Sequence, residues 1–337
     1  MAGVRQYRRP VALVLILVLL LSCSIPAVCT VGEVQVQIKA EFKYSDARKM
    51  LPKINSLRTG EGAWYLSSNN RTRVRVKGLK ALEYDYNLEK VAMQRALEIA
   101  VLFSHTRPNG AAWSSLYPKG YNARGENIAY GFGTTDAVFK AFAEENANYA
   151  GQGHRRNMLN SRFTRVGFGA VKVGNVMYWV QEFGCGGSRG TDSSRYKGNT
   201  VRVSESTLKS VATKVQAESK DMTLKVGSSS AVPAVNIVSK SGAKLVVKDG
   251  GWKAGGSAVT VKNAKVTGVK NGNTKLTATV AGKKLTVAVH VLTVPTVSQP
   301  LYGSNGPGIT IEEYEPALGT EYFFLEEDDE CFEADDE

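Results

Sequence analysis

The hydrophobic pattern changes once along this chain, and this change limits the possible folds more than any other feature. Residues 81–190 mix a helical period with strand-like runs, whereas residues 221–292 have the alternating pattern of an all-β region. A polar stretch rich in Ser and Lys, residues 191–220, separates them and is typical of a linker. The sequence therefore predicts an α+β domain over 31–190 and an all-β domain over 221–292, each folding independently.

The first domain carries signals for two helices and a hairpin. Apolar residues recur at helical spacing over 88–103, and a threonine at 134–135 can cap a second helix. Two strands over 166–173 and 176–183 are joined by Gly174-Asn175, a tight-turn sequence. The second of these strands is apolar on both faces, which suits a strand covered on both sides. Helices on both faces of such a sheet would make an α-β-α sandwich.

The second domain shows strict alternation. Apolar and polar residues alternate over 276–280 and again over 285–291. Ala281-Gly282 and Asn271-Gly272 supply the turns. The pattern predicts a small antiparallel sandwich with one solvent-exposed face per sheet.

The beginning of the chain has the layout of a secretory signal peptide, predicted over 1–29. Three arginines precede an apolar run over 11–21, which is shorter than the roughly 20 residues of a membrane span. Ala27-Val28-Cys29 has the small residues that a signal peptidase requires. A lipobox-like sequence before Cys23 offers a second cleavage site and a lipid anchor, but its Leu21 fits poorly. We therefore expect a secreted or extracellular protein, with surface attachment through Cys23 as the alternative.

Cysteine use argues against a disulfide framework. The chain has four cysteines, of which two lie in the signal region, so only Cys185 and Cys331 remain with certainty after export. One possible pair is not a framework, despite the oxidising destination. Metal binding by cysteine is equally unsupported, since the sequence contains no Cys-x-x-Cys.

Charge is divided unevenly along the chain. Residues 311–337, in the tail that we place at 293–337, hold 13 acidic residues and no Lys or Arg, although the whole chain has a net charge of +12. The tail could be a solvated acidic segment or dock on the basic body. Alternatively, the body could bind anionic cell-wall polymers. Nucleic acid is not an expected partner, because the chain has an export signal and no nucleic-acid-binding motif.

Three histidines occur in the whole chain. His290 falls on the polar face of a terminal strand and is expected to be an exposed bystander. His105 comes at or just past the end of the first helix, because Pro108 stops that helix. His154 also lies in the α/β part, so these two are the candidates for a functional site.

The surroundings of these two histidines resemble a known signature. The three segments are Ser-His-Thr-Arg-Pro at 104–108, Gly-Glu-Asn-Ile-Ala at 125–129 and Gly-His-Arg-Arg-Asn-Met-Leu at 153–159. In this order and spacing they resemble the CAP superfamily, which includes cysteine-rich secretory proteins, venom antigens, plant pathogenesis-related proteins and many bacterial secreted proteins. The resemblance covers about residues 45–185. It implies an α-β-α sandwich with a cleft where two histidines and two glutamates converge, which in some members holds a divalent metal.

Matched residue by residue, the resemblance assigns the cleft tetrad to His105, Glu126, Glu145 and His154. The helix glutamate has an alternative in the neighbouring Glu144. Glu145 is favoured because it follows the apolar residues of the second helix at i+3 and i+7, which places it on the same face.

Such a tetrad suits one zinc ion, since neutral imidazoles and carboxylates are zinc ligands. With fewer than four protein ligands, one position stays open for water or a ligand, and an unbound glutamate could act as a general base. The alternative is a scaffold in which the glutamates fix the histidine tautomers by hydrogen bonds. Possible supporting residues are Arg107, Asn127 and Arg155. Arg107, Arg155 and Arg156 could bind an anion, although we expect Arg107 to pair with a carboxylate and Asn127 to satisfy loop backbone groups.

Residues 221–292 resemble the bacterial immunoglobulin-like modules of surface proteins, in the stretches 224–227 and 267–280. Such modules are spacers or adhesive elements. The leading functional hypothesis is a secreted or surface-attached protein whose cleft binds a small ligand, with or without a divalent ion. The rivals are a metal-dependent hydrolase using the same four residues and a structural adhesin. A serine hydrolase is disfavoured because Gly-x-Ser-x-Gly is absent, and a Cys185–His154 nucleophile pair lacks any activating signature.

Overall fold

The computed structural model describes residues 32–293. The predicted signal peptide and the acidic residues 311–337 therefore lie outside the described residues. By its contacts the chain divides into one compact unit, Met1–Val294, and a second unit, Pro295–Glu337. Within the described part, no helix is both long enough and apolar enough to cross a membrane.

The first unit contains six α-helices, three 3-10 helices and nineteen strands among the described residues. The α-helices are α1 Tyr44–Arg48, α2 Met50–Thr59, α3 Tyr86–Val101, α4 Thr135–Ala143, α5 Gly153–Met158 and α6 Glu205–Val211. The 3-10 helices are Trp113–Leu116, Tyr149–Gly151 and Asp192–Ser194. The strands are β1 Glu33–Ile38, β2 Glu41–Phe42, β3 Trp64–Leu66, β4 Arg73–Arg75, β5 Glu83–Tyr84, β6 Tyr121–Tyr130, β7 Arg165–Val173, β8 Val176–Gly186, β9 Thr200–Ser204, β10 Ala212–Ala217, β11 Asp221–Lys225, β12 Ser229–Ala231, β13 Val235–Ser239, β14 Lys244–Val247, β15 Lys253–Ala254, β16 Val259–Lys262, β17 Lys265–Gly268, β18 Gly272–Val280 and β19 Lys283–Leu292.

The α/β part is built on a sheet of order β2-β7-β8-β6, with β5 beside β7. The predicted hairpin is confirmed: β7 and β8 pair from Val173 opposite Val176, and Gly174 takes a φ of 57° in the turn. Residues 178–183 of β8 are all buried, although successive side chains point to opposite faces. Both faces of this central strand are therefore covered, as the apolar run predicted.

Two glycines bring α3 into close contact with the sheet. A Cβ atom on Gly167 would lie 2.1 Å from the backbone nitrogen of Glu89, and one on Gly169 would lie 2.1 Å from the carbonyl oxygen of Ala92. Only glycine allows this approach of helix and strand. The contact sets the position of α3 against the sheet, and the loop with His105 follows α3.

The remainder of the described chain is rich in strands, which form three further sheets of orders β10-β13-β14-β1-β9, β11-β19-β18-β15 and β12-β17-β16. The predicted hairpin of β18 and β19 is confirmed, with Val280 opposite Lys283. Ala281 and Gly282 have φ values of 50° and 73°. Both central residues thus adopt the positive φ that a two-residue hairpin of this type needs.

The expected linker over 191–220 differs from what is found, because it contains β9, α6 and β10. In β9, Val201 and Val203 are buried while Arg202 between them is exposed. Few residues of this stretch are buried, and polar residues separate them. The composition of the stretch therefore did not predict its strands and helix. β1 lies between β14 and β9 in the five-stranded sheet. The sheet therefore joins the start of the described chain to its second half. It contains strands from both sides of the predicted linker 191–220 and from the linker itself.

Candidate functional site

The first half of the site is a histidine held by a buried carboxylate. His105 follows the end of α3, and its Nδ1 lies 2.7 Å from Oε1 of Glu126 on β6. The Glu126 side chain is 1% exposed, whereas that of His105 is 56% exposed. Because a carboxylate can only accept a hydrogen bond, the neutral ring carries its proton on Nδ1 and its lone pair on Nε2.

A buried arginine holds Glu126 in place. Arg95 on α3 donates from Nε to Oε2 of Glu126 at 2.7 Å and from Nη1 to Oε2 of Glu98 at 2.9 Å. Burial acts to raise the pKa of Glu126, but the hydrogen bonds from His105 and Arg95 bring that pKa below its ordinary value. Glu126 is therefore a carboxylate at neutral pH, with its charge balanced from within the protein.

A second buried carboxyl group, which the sequence analysis missed, lies beneath the site. Glu182 on β8 is the direct cross-strand partner of Glu126 and is fully buried. The Tyr117 hydroxyl oxygen is 2.8 Å from its Oε2. Burial, and then the neighbouring charge of Glu126, raise the pKa of Glu182 well above its ordinary value. The available signal was an acidic residue, next to Gln181, in the middle of a largely apolar strand.

The second half of the site repeats the same chemistry. His154, in α5, hydrogen-bonds through Nδ1 to Oε1 of Glu144. The backbone nitrogens of His154 and Arg155 donate to the other oxygen of Glu144 at 3.0 Å and 3.2 Å. The ring of Phe142 packs edge-on against the imidazole, with ring centroids 5.1 Å apart. Like His105, His154 therefore has its Nδ1 occupied by a carboxylate.

The assignment of Glu145 is corrected to Glu144. Helix α4 ends at Ala143, and Glu144 takes the left-handed conformation with φ 46° and ψ 38°. The helical-face argument therefore does not extend to Glu145, which is exposed. The left-handed residue turns the chain back, so the first glutamate after the helix reaches His154.

The two histidine–carboxylate pairs lie on one cavity of about 490 Å³. The structure thus brings together three of the four predicted residues, with Glu144 as the fourth. Within residues 32–293, no group of three or more His, Cys, Asp or Glu side chains is arranged to hold a metal ion by itself. The residues that line the cavity are His105, Glu126, Asn127, Glu144, Ala150, Gly151, Gly153, His154, Arg156 and Asn157.

The proposed supporting residues have structural roles. Arg107 pairs with Glu98 at 2.7 Å, as expected. Arg155 is fully buried and donates to the backbone carbonyls of residues 62, 64 and 143. The suggestion that Arg107 or Arg155 binds an anion is therefore corrected, because both guanidinium groups are already bound within the protein, one to Glu98 and the other to backbone carbonyls.

Asn127 ties the two halves of the cleft together. Its Nδ2 donates to the carbonyl oxygen of His154 at 3.1 Å and to Oε1 of Gln181 at 2.8 Å. Its Oδ1 accepts a hydrogen bond from Asn157 at 2.8 Å. Asn127 therefore satisfies a backbone group as expected, but it lies in β6 and the carbonyl that it binds belongs to α5, so neither group is in a loop.

The remaining histidine and cysteine stand apart from this chemistry. His290 lies exposed on β19, with Nδ1 2.9 Å from Oδ1 of Asn273, as a bystander should. Cys185 is a free thiol. Cys331 lies outside the described residues.

Comparison with known proteins agrees with the motifs. Residues 51–183 match the family model described as "CAP: Cysteine-rich secretory protein family". This part of the chain is therefore similar to the CAP family. A curated relative, the protein YkwD of Bacillus subtilis (strain 168), is 35% identical over 112 residues. The match covers 32% of this chain and 40% of YkwD, so the chain spans less than half the length of that relative.

Solved structures with similarity to the chain include an extracellular SCP-domain protein from Bacillus anthracis, at 21% identity and a TM-score of 0.30, covering 41% of this chain and 40% of that one. An outer surface protein from Borrelia burgdorferi has 21% identity and a TM-score of 0.33, covering 45% and 99%. NaASP2 with Zn²⁺ has 22% identity and a TM-score of 0.34, covering 47% and 88%.

Proposed function

We propose that this chain is a secreted or cell-surface protein whose CAP cleft binds a small ligand together with one divalent ion. The observation that carries the proposal is the pairing of both cleft histidines with carboxylates through Nδ1. In each neutral ring this leaves Nε2 as the lone-pair donor. Histidines that bind metal usually donate their other ring N–H to a carboxylate or carbonyl, which orients the ring.

The two imidazoles would give a zinc ion two protein ligands and leave its other positions open. Nε2 of His105 and of His154 would be the two protein ligands, and water or the bound molecule would complete the coordination. Zinc would supply Lewis acidity toward an oxygen of that molecule. Glu126 and Glu144 would keep the two rings in the correct tautomer and orientation.

The hydrogen bonds that Glu126 and Glu144 already accept favour ligand binding over hydrolysis as the function of the cleft. Glu126 accepts hydrogen bonds from Arg95 and His105, and Glu144 accepts them from the ring and backbone of His154. A general base must be within reach of the proton that it removes. Either glutamate would have to leave its histidine to act in this way, so a metal-dependent hydrolase remains the second hypothesis.

For the strand-rich part we propose the spacer or adhesive role of an immunoglobulin-like module. The support is its basic character: residues 200–293 contain 15 Lys and Arg against 4 Asp and Glu. Such a surface would attract anionic polymers of the cell envelope. The signal-peptide-like sequence predicted over 1–29 supports an extracellular location.

Calorimetric titration with zinc tests the cleft. The wild type should bind zinc at about one to one. His105→Ala and His154→Ala should each weaken binding by at least roughly tenfold, whereas the matched control His290→Ala should not. Binding should also weaken on acidification, because protonated imidazole cannot be a ligand. Equal binding by all four proteins, or none by the wild type, would refute the metal part of the proposal.

A further inference from the structure

The sequence offers three arginines near the cleft as candidates for binding an anion. In the structure these arginines have different partners. Arg107 is neutralised by Glu98, and Arg155 is buried against three backbone carbonyls. Arg156 instead lines the cavity. Of the ion pairs within residues 32–293, none involves Arg156.

Arg156 is held in place without being neutralised. Its guanidinium carbon lies 4.2 Å from the ring centroid of Tyr149, and its Nη1 donates to the carbonyl oxygen of the same residue. The backbone nitrogen of Tyr149 donates in turn to Oδ1 of Asn70 at 2.7 Å. Stacking fixes the plane of a guanidinium group, and arginine has five N–H donors in a rigid fork. Most of these donors therefore remain for a ligand.

The charged side chains of the cleft differ in the partners that they have within the protein. Arg95 neutralises Glu126, and Glu144 is bound by His154 and by two backbone N–H groups. Arg156 is the one Lys or Arg among the cavity-lining residues of the described part. A guanidinium group on the cavity wall that has no ion-pair partner is available for a charge-assisted hydrogen bond to an anionic group of a ligand.

We propose that Arg156 selects ligands that bear a carboxylate or a phosphate group. The planar fork of arginine matches either group in a bidentate geometry. The inference rests on the proposed function only in taking the cleft as a ligand site, and it does not require the metal. It names the chemical class of the ligand and the residue that recognises it.

A matched pair of probes tests the proposal: 4-fluorobenzoate and its neutral analogue 4-fluorobenzamide, titrated into the full chain and followed by fluorine NMR with a chelator present. We expect the benzoate to bind at least about tenfold more tightly than the amide. Arg156→Gln should abolish this preference and Arg156→Lys should keep part of it, because lysine retains the charge but not the fork. Arg162→Gln removes an exposed arginine outside the cavity lining and should leave the preference unchanged.

Phenyl phosphate, used as a competitor, distinguishes the two anionic groups. If phenyl phosphate displaces 4-fluorobenzoate at a lower concentration than unlabelled benzoate does, the site is assigned to phosphate. If unlabelled benzoate displaces it at the lower concentration, the site is assigned to carboxylate. Failure of 4-fluorobenzoate to bind, equal binding of the benzoate and the amide, or an unchanged preference in Arg156→Gln would overturn the proposal. The zinc titration of the wild type keeps the two proposals apart: if the wild type binds no zinc but prefers the benzoate, only the metal part of the proposed function is refuted.

Discussion

Each cleft histidine depends on one carboxylate, and each carboxylate depends on a different kind of support. Glu126 is fixed by the buried Arg95, whereas Glu144 is fixed by backbone N–H groups at the start of α5. The motif segments identified His105, Glu126 and His154 from sequence, because these residues come in specific short patterns. They did not identify Glu182, since its effect on Glu126 arises only when two strands pair.

Glu182 predicts a pH dependence of stability. Its pKa is raised in the folded protein, so the folded state retains a proton that the unfolded chain releases near the ordinary carboxyl pKa. The contribution of Glu182 to stability is therefore full at acid pH and is lost as pH rises toward the raised pKa. Glu182→Gln stays neutral and should remove this loss, by about 1.4 kcal/mol for each unit between the two pKa values.

Urea unfolding of wild type and Glu182→Gln at several pH values between about 5 and 8 checks this. The stability difference in favour of the glutamine variant should grow with pH. The exposed Glu145→Gln is the control and should follow the wild type. A difference that is constant over the range would mean that Glu182 ionises in the folded protein as it does in the unfolded chain.

At the scale of elements, the site depends on where α4 stops. The sequence placed the start of this helix at Thr134 or Thr135, and Thr134 is the cap, because capping is a local hydrogen bond. It did not predict the end, since no Gly or Pro follows Ala143. A left-handed Glu144 is unfavourable on its own. The hydrogen bonds to α5 offset this cost, and they are tertiary contacts.

Replacing each of the two neighbouring glutamates by alanine in turn distinguishes their roles. Glu144→Ala should destabilise the fold by roughly 1–3 kcal/mol, because it leaves the backbone N–H groups of α5 without their acceptor. It should also weaken zinc binding by about 10- to 100-fold, as loss of an orienting carboxylate does. Glu145→Ala should change neither quantity. Urea unfolding and calorimetry measure both effects, and a larger effect of Glu145→Ala would restore the original assignment.

At the scale of the whole molecule, the strand-rich part is completed by a segment from the start of the described chain. β1 pairs with β9 on one side and β14 on the other. The α/β part also touches these sheets directly: the Ser241 hydroxyl donates to the carbonyl oxygen of Ala100 at 2.7 Å. The independent folding expected from the polar stretch 191–220 is therefore not what this topology favours.

A fragment experiment tests this point. Residues 215–293 alone lack β1 and β9, and so leave an edge of β14 unpaired. We expect the fragment to be largely unfolded by circular dichroism, because an open, partly apolar strand edge loses hydrogen bonds and burial. Residues 191–293 with the β1 segment 33–38 attached through a flexible linker should recover cooperative melting. Cooperative unfolding of the shorter fragment would support the original domain boundaries.

The sequence by itself determined what depends on local patterns. It predicted the helix over α3, the two glycine-turn hairpins, the family motifs and the two histidines of the cleft, since period, turn chemistry and motif spacing are local properties. The tertiary structure alone decided the rest: Glu144 in place of Glu145, the raised pKa of Glu182, the hydrogen bonds of Arg107 and Arg155, and the place of β1 in the distant sheet. Each of these depends on which segments meet in space, and no local pattern of residues records that.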